Sequence, residues 1–184
     1  TKGLMKALRT PWITDIVVMN DLIYEKEENE VPVYVKGTKH LRAINGESLA
    51  VDLTNVDKDM VIITHTSHLT VEDFNTRVMI GKEPPYFPVF AWEAEAHTNE
   101  GNGTLIMKNL LFHGPCSGMQ ETLGELLGCS PETAFLQLLV RALLVSEDAT
   151  VALPDLAPSR AANGLGRFGT FNVSLRCFSS DDVM

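Results

Sequence analysis

The sequence predicts an α+β fold: mainly an antiparallel β-sandwich or curved sheet, with a central two-helix unit (117–146) and a short helix (70–80). Three observations carry that expectation. Short segments of alternating apolar and polar residues recur along the chain, bounded by Gly, Pro, Asn and Asp. Strand patterns do not alternate regularly with long helical ones, as a Rossmann-like parallel sheet would require. The longest helical period stands once, in the middle of the chain.

Taken in order, Leu4, Met5 and Leu8 with Pro11 beyond them predict a turn or two of helix over 3–9. Ile13–Met19 reads as a strand closed by the Asn20-Asp21 turn, and Leu22–Tyr24 as its continuation. Residues 25–30 are a charge run, the composition of a solvated loop. Pro32 makes Val31–Val35 an edge strand because it lacks the N–H that a ladder needs. Asn45-Gly46 supplies the positive φ values of a type I′ hairpin between His40–Ile44 and Glu47–Leu53. On the return strand Leu49, Val51 and Leu53 alternate with Ser48, Ala50 and Asp52. Met60–Thr66 is a further strand. Thr70 caps the short helix, with Val71, Phe74 and Val78 as its stripe and Gly81 as its stop. Residues 83–85 (Glu-Pro-Pro) form a rigid link. In Val89–Thr98, Phe90, Trp92, Ala94 and Ala96 oppose Glu93, Glu95 and His97, and Thr104–His113 has the apolar run of a strand buried on both faces.

The two-helix unit begins at Ser117, an N-cap with Gln120 as capping-box partner, and runs through Met119, Leu123, Leu126 and Leu127 to a left-handed stop at Gly128. Ser130, Pro131 and Glu132 start a second helix, Pro131–Val145. Ala134, Phe135, Leu138, Leu139 and Ala142 form one apolar face; Leu136, Val140, Leu143 and Leu144 extend it almost round the cylinder. Only Gln137 and Arg141 stay polar, so this helix is buried in the core or against a partner. It is too short and too interrupted to span a bilayer. Beyond it come a strand at Val151–Leu153, a Pro/Gly/Ala loop at 154–169, a strand at Thr170–Phe178 with Phe171, Val173, Leu175 and Cys177 on one face, and a polar tail. No repeat or linker divides the chain, which reads as a single domain, 1–184.

The 184 residues carry 24 acidic against 15 basic side chains, net −9. That sign repels phosphate, so neither nucleic acid nor an anionic membrane is an expected partner. Three cysteines without CxxC or metal spacing argue against a disulfide framework and for a reducing compartment, cytoplasmic or within an assembled particle. No signal peptide or transmembrane run is evident. Asn102-Gly103-Thr104 and Asn172-Val173-Ser174 are glycosylation triplets of a kind that also arises by chance.

Three clusters bear chemistry. Glu93, Glu95 and His97 share one strand face, about 7 Å apart in succession, and with His65 and His68 would make a carboxylate–imidazole metal site; the same residues also suit the wet face of an amphipathic strand. In His113-Gly114-Pro115-Cys116-Ser117-Gly118, Cys116 lies at a strand-to-helix turn where a thiol can be activated, as a small hydrolase would require, although the G-x-S-x-G spacing is absent. Asn163-Gly164-Leu165-Gly166-Arg167-Phe168-Gly169 offers backbone amides and Arg167 to an anion, yet follows no predicted strand and opens no helix. No catalytic, cofactor or metal residue is assigned from these clusters.

Two resemblances add to this. Gln120, Leu123, Gly124, Leu127, Gly128, Cys129, Ser130, Thr133 and Ala134 resemble a helix-turn-helix, which implies a DNA-binding regulator. The positions that would face the groove hold Pro131, Glu132, Phe135 and Leu136, which read no base edge, and Gln137 falls where the motif has a core residue. Gly81-Lys82-Glu83-Pro84-Pro85-Tyr86-Phe87, with Gly103-Thr104-Leu105-Ile106-Met107-Lys108-Asn109, is similar to a pattern in contractile-phage tail-tube proteins, which implies an assembly role. The sequence-level expectation is a non-enzymatic structural subunit that self-associates through sheet edges and apolar surface into a homo-oligomer or a virus or phage particle. The alternatives are a hydrolase or metal-dependent enzyme using Cys116 or Glu93, Glu95 and His97, and a helix-turn-helix regulator.

Overall fold

A computed structural model of the chain describes residues 2–25, 32–44, 49–53, 60–80, 89–93, 102–129, 150–161 and 164–178. The Asn45-Gly46 hairpin, the link at 83–85, Glu95, His97, the second helix at 131–145 and the tail at 179–184 lie outside them.

The chain winds in coils. Helix α1 (Lys2–Arg9) precedes a first coil of β1 (Asp15–Val18), β2 (Leu22–Ile23) and β3 (Val33–Val35). The second coil is β4 (Thr38–Ala43), β5 (Ala50–Leu53) and β6 (Val61–Ile63); the third is β7 (His68–Glu72), β8 (Asn75–Ile80) and β9 (Phe90–Trp92). In the fourth, the long strand β10 (Thr104–Pro115) runs through the first two sheet positions, and helix α2 (Cys116–Leu127) follows. After β11 (Val151–Ala152) and β12 (Leu156–Arg160), β13 (Arg167–Phe178) makes a fifth layer on β10.

Each strand pairs with its counterpart one coil away, and the pairing is parallel: β1–β4–β7–β10–β13 in a first sheet, β2–β5–β8–β10 in a second, β3–β6–β9 in a third. This corrects the expected antiparallel sandwich. Among the described residues, only β11 and β12 run antiparallel, both against β13. Alternation tells which side chains face in, but not which strand lies next door. A coil of three short strands with polar corners therefore gives the same one-dimensional signal as a set of hairpins.

The expected helix at 70–80 is also corrected: β7 and β8 occupy it, hinged at Asp73 with φ 62°. A corner between two sheets lets Val71 and Phe74, three residues apart, both turn inward and be buried, which counterfeits a helical stripe. The same corner at Asn172 (φ 52°) breaks the expected common face of β13. Phe171 is exposed while Val173, Leu175 and Cys177 are buried.

Inside the coils, like stacks on like. Ile16, Leu41, Val71 and Met107 are register partners in succession, as are Leu69, Leu105 and Phe168, and all are buried. Each such side chain contributes about 1.5–3 kcal/mol over leaving it in water. In the third sheet, Val35, Ile63 and Trp92 form another such column. α2 packs beside β9, where Trp92 Nε1–H donates to the Leu126 carbonyl at 3.2 Å. Gly166 is held to glycine by that indole: a Cβ there would fall 2.3 Å from the ring.

α1 plugs the first coil, burying Met5 and Leu8. α2 starts two residues earlier than the cap at Ser117 predicted: Pro115 precedes it without a side-chain cap, and Gly128 (φ 67°) closes it as expected. Cys116 and Cys177 form a disulfide, with Cα atoms 4.9 Å apart, joining the fourth coil to the fifth. That overturns the expectation against disulfide bonding; Cys129 is free and half-buried. No helix among the described residues is long and apolar enough to cross a membrane.

Candidate functional site

The outer face of the first sheet brings imidazole, guanidinium, carboxylate, ammonium and hydroxyl groups together. Alternation turns His40 and Arg42 outward from β4, His68, Thr70 and Glu72 from β7, and Thr104, Ile106 and Lys108 from β10. Register sets Arg42, Glu72, Lys108 and Phe171 in one row, with adjacent members about 4.8 Å apart along the coil axis. Asp15, His40, Thr70 and Ile106 form the row beside it.

Across these rows, His40 Nε2 lies 2.5 Å from Glu72 Oε2, and His40 Nδ1 lies 3.7 Å from Asp15 Oδ1. The first is a hydrogen bond. The second is too long for one and becomes an ion pair only when the imidazole is protonated. The hydrogen bond ties the second coil to the third on their outer surface, with Asp15 of the first coil alongside.

At the far end of the face a groove of about 540 Å³ opens between β10 and β13 on one side and β12 on the other. Ile106 and Phe171 contribute from the sheet, Leu156, Ala157 and Pro158 from the opposite wall, and Glu72, Lys108 and Asp155 supply charge. Phe171 stays 57% exposed. Two hydrogen bonds fix the segment that leads into β12: Asp155 Oδ1 accepts from the Asn172 N–H at 2.9 Å, and the Thr170 hydroxyl donates to the Pro154 carbonyl at 2.8 Å.

A ladder of left-handed residues lies along the corner beside the groove. Asn172 Nδ2 donates to Asn109 Oδ1 at 3.0 Å, and Asn109 Nδ2 to Asp73 Oδ1 at 3.1 Å. All three have φ of 51–62°, a region that Asn and Asp tolerate better than other side chains. The side-chain amide of the second glycosylation triplet is therefore committed to its neighbour.

The residues singled out from sequence are dispersed. Glu93 Oε2 sits 3.2 Å from both the backbone nitrogen and Nε2 of His65, clasping the corner after β6. Nδ1 of His65 is buried without a hydrogen-bond partner. His68 faces outward from β7, and no group of three His, Cys, Asp or Glu among the described residues suits a metal ion. The thiol that a hydrolase would need at Cys116 is bonded to Cys177. His113 packs edge-on against Phe178, ring centroids 5.6 Å apart. In the Gly-rich stretch, Gly164 has φ 74° and the Arg160 guanidinium donates to its carbonyl at 3.3 Å, while Gly166 backs Trp92. Sequence reasoning missed Asp15, His40, Glu72, Lys108, Asp155 and Phe171. They are far apart in the chain, and only register brings them together.

No family model, curated protein or solved structure matches this chain.

Proposed function

We propose that the chain is a non-enzymatic assembly module that self-associates through the end of its coil stack at β1. The observation that carries this is the apolar rim there. Trp12, three residues before β1, is 82% exposed and Met19, directly after it, 63%, with Val17 and Ile23 also open to solvent. Among the described residues β1 pairs only with β4, so its other edge is free to add a strand. At the opposite end β13 is engaged on both sides, by β10 and by β11 with β12. One adhesive end and one covered end favour a closed, two-fold pairing over an open filament. The disulfide favours an oxidising compartment in place of the reducing one read from cysteine count.

The test is native mass by light scattering across a concentration series. A dimer that Trp12→Ser with Met19→Ser converts to monomer supports the reading. A monomer at high concentration overturns it.

A further inference from the structure

We infer that the groove between β12 and the outer face of the first sheet is a binding site for a neutral saccharide. The ring stacks on Phe171, and its hydroxyls reach Glu72, Asp155 and Lys108.

The lining narrows the ligand. Ile106, Leu156, Pro158 and Phe171 make an apolar trough, and a wholly apolar occupant would fit them. It would, however, strip water from two carboxylates and an ammonium without replacing their hydrogen bonds, which disfavours it. An ionic ligand of either sign would meet charges of both signs within one cavity and leave the apolar trough unused. An extended peptide would be expected to add to the free side of β12, but Pro158 removes a donor from that edge and Arg160 leaves it charged.

A pyranose ring satisfies all of these at once. Its C–H face is apolar and flat against an aromatic side chain. Its hydroxyls donate to Glu72 and Asp155 and accept from Lys108. The site is also built in advance: His40 holds Glu72 at 2.5 Å, the Asn172 N–H holds Asp155 at 2.9 Å, and the ladder fixes the corner between them. Preformed geometry spares a ligand the cost of ordering these side chains.

The experiment titrates the full chain with a panel of neutral oligosaccharides (gluco-, xylo-, manno- and galacto-configured) beside uronic-acid oligomers of equal length, by calorimetry and ligand-observed NMR. Expected is binding to at least one neutral series, weakened tenfold or more by Phe171→Ala and by Glu72→Gln. Tyr34→Ala, an exposed aromatic on β3 far from the groove in the coil, should leave it unchanged. Circular dichroism confirms that each variant is folded. No binding across the neutral panel, binding confined to the uronic acids, or binding indifferent to Phe171→Ala overturns the inference. None of these outcomes depends on whether the chain associates through its first coil.

Discussion

The two ends of the coil stack solve the same problem by different means. Any stack of parallel strands exposes an edge and an oily lumen at each end, and each must be covered. At the first coil a short helix plugs the lumen and the β1 edge stays free. Lys39, 1% exposed, stands in the column that Leu69, Leu105 and Phe168 continue, donating from Nζ to the carbonyls of Thr10 and Ile13. At the last coil the column ends in the buried ring of Phe168. Two antiparallel strands cover β13, a disulfide ties it down, and the Asn ladder runs along its corner. The ladder does not reach the first coils, where Val18 pairs with Ala43 just past the last β4–β7 register pair. The lesson is that one end is closed by permanent bonds and the other by a group that resists dehydration.

The largest effect should come from the disulfide. It closes a loop of 61 residues, and the chain-entropy argument gives roughly 4 kcal/mol for a loop of that size. Thermal unfolding of Cys116→Ala with Cys177→Ala should show a loss of that order. An unshifted midpoint would mean that strand pairing with β10, β11 and β12 holds the last coil without the disulfide, and the contrast between the ends would weaken. Next, Asn109→Ala removes two ladder hydrogen bonds and places a Cβ residue without a polar side chain at φ 51°. About 2 kcal/mol should be lost in denaturant unfolding, and Asn109→Gly should recover the backbone share of about 1 kcal/mol.

The smallest effect concerns Lys39, whose ammonium burial pushes below its usual value of 10.5. A depressed pKa means that the unfolded chain binds more protons within the window between the depressed value and 10.5. Stability therefore rises with pH across that window, and the burial cost is fully present below it. Wild-type stability measured against Lys39→Met should climb as pH approaches 10.5. A difference that stays flat would show that the two carbonyls offset the dehydration of the amine.

Much of the local structure was legible in the sequence. α1, β1 and the Gly128 stop of α2 lie where helical period, alternation and turn chemistry put them, because these are properties of neighbouring residues. The partnership of strands was not. Register partners advance from Asp15 to His40, from Thr38 to His68, from His68 to Thr104 and from Thr104 to Arg167. These steps lengthen at every coil, so no constant period exists for a repeat search to find. The Cys116–Cys177 bond and the groove depend on the same long steps. Glu72 falls inside the helix expected over 70–80 because Asp73 lets the chain turn a corner there, and nothing in the spacing of Val71, Phe74 and Val78 distinguishes that from a helix.

The disulfide also sets where the molecule comes apart. In a stack where each layer touches only its neighbours, unravelling begins at a terminus and travels inward. With the final two layers stitched together, the helix-plugged end of the stack is the one held without a covalent cross-link, and amide exchange should be faster there than in β10 and β13. Adding reductant should open a second front at the opposite terminus.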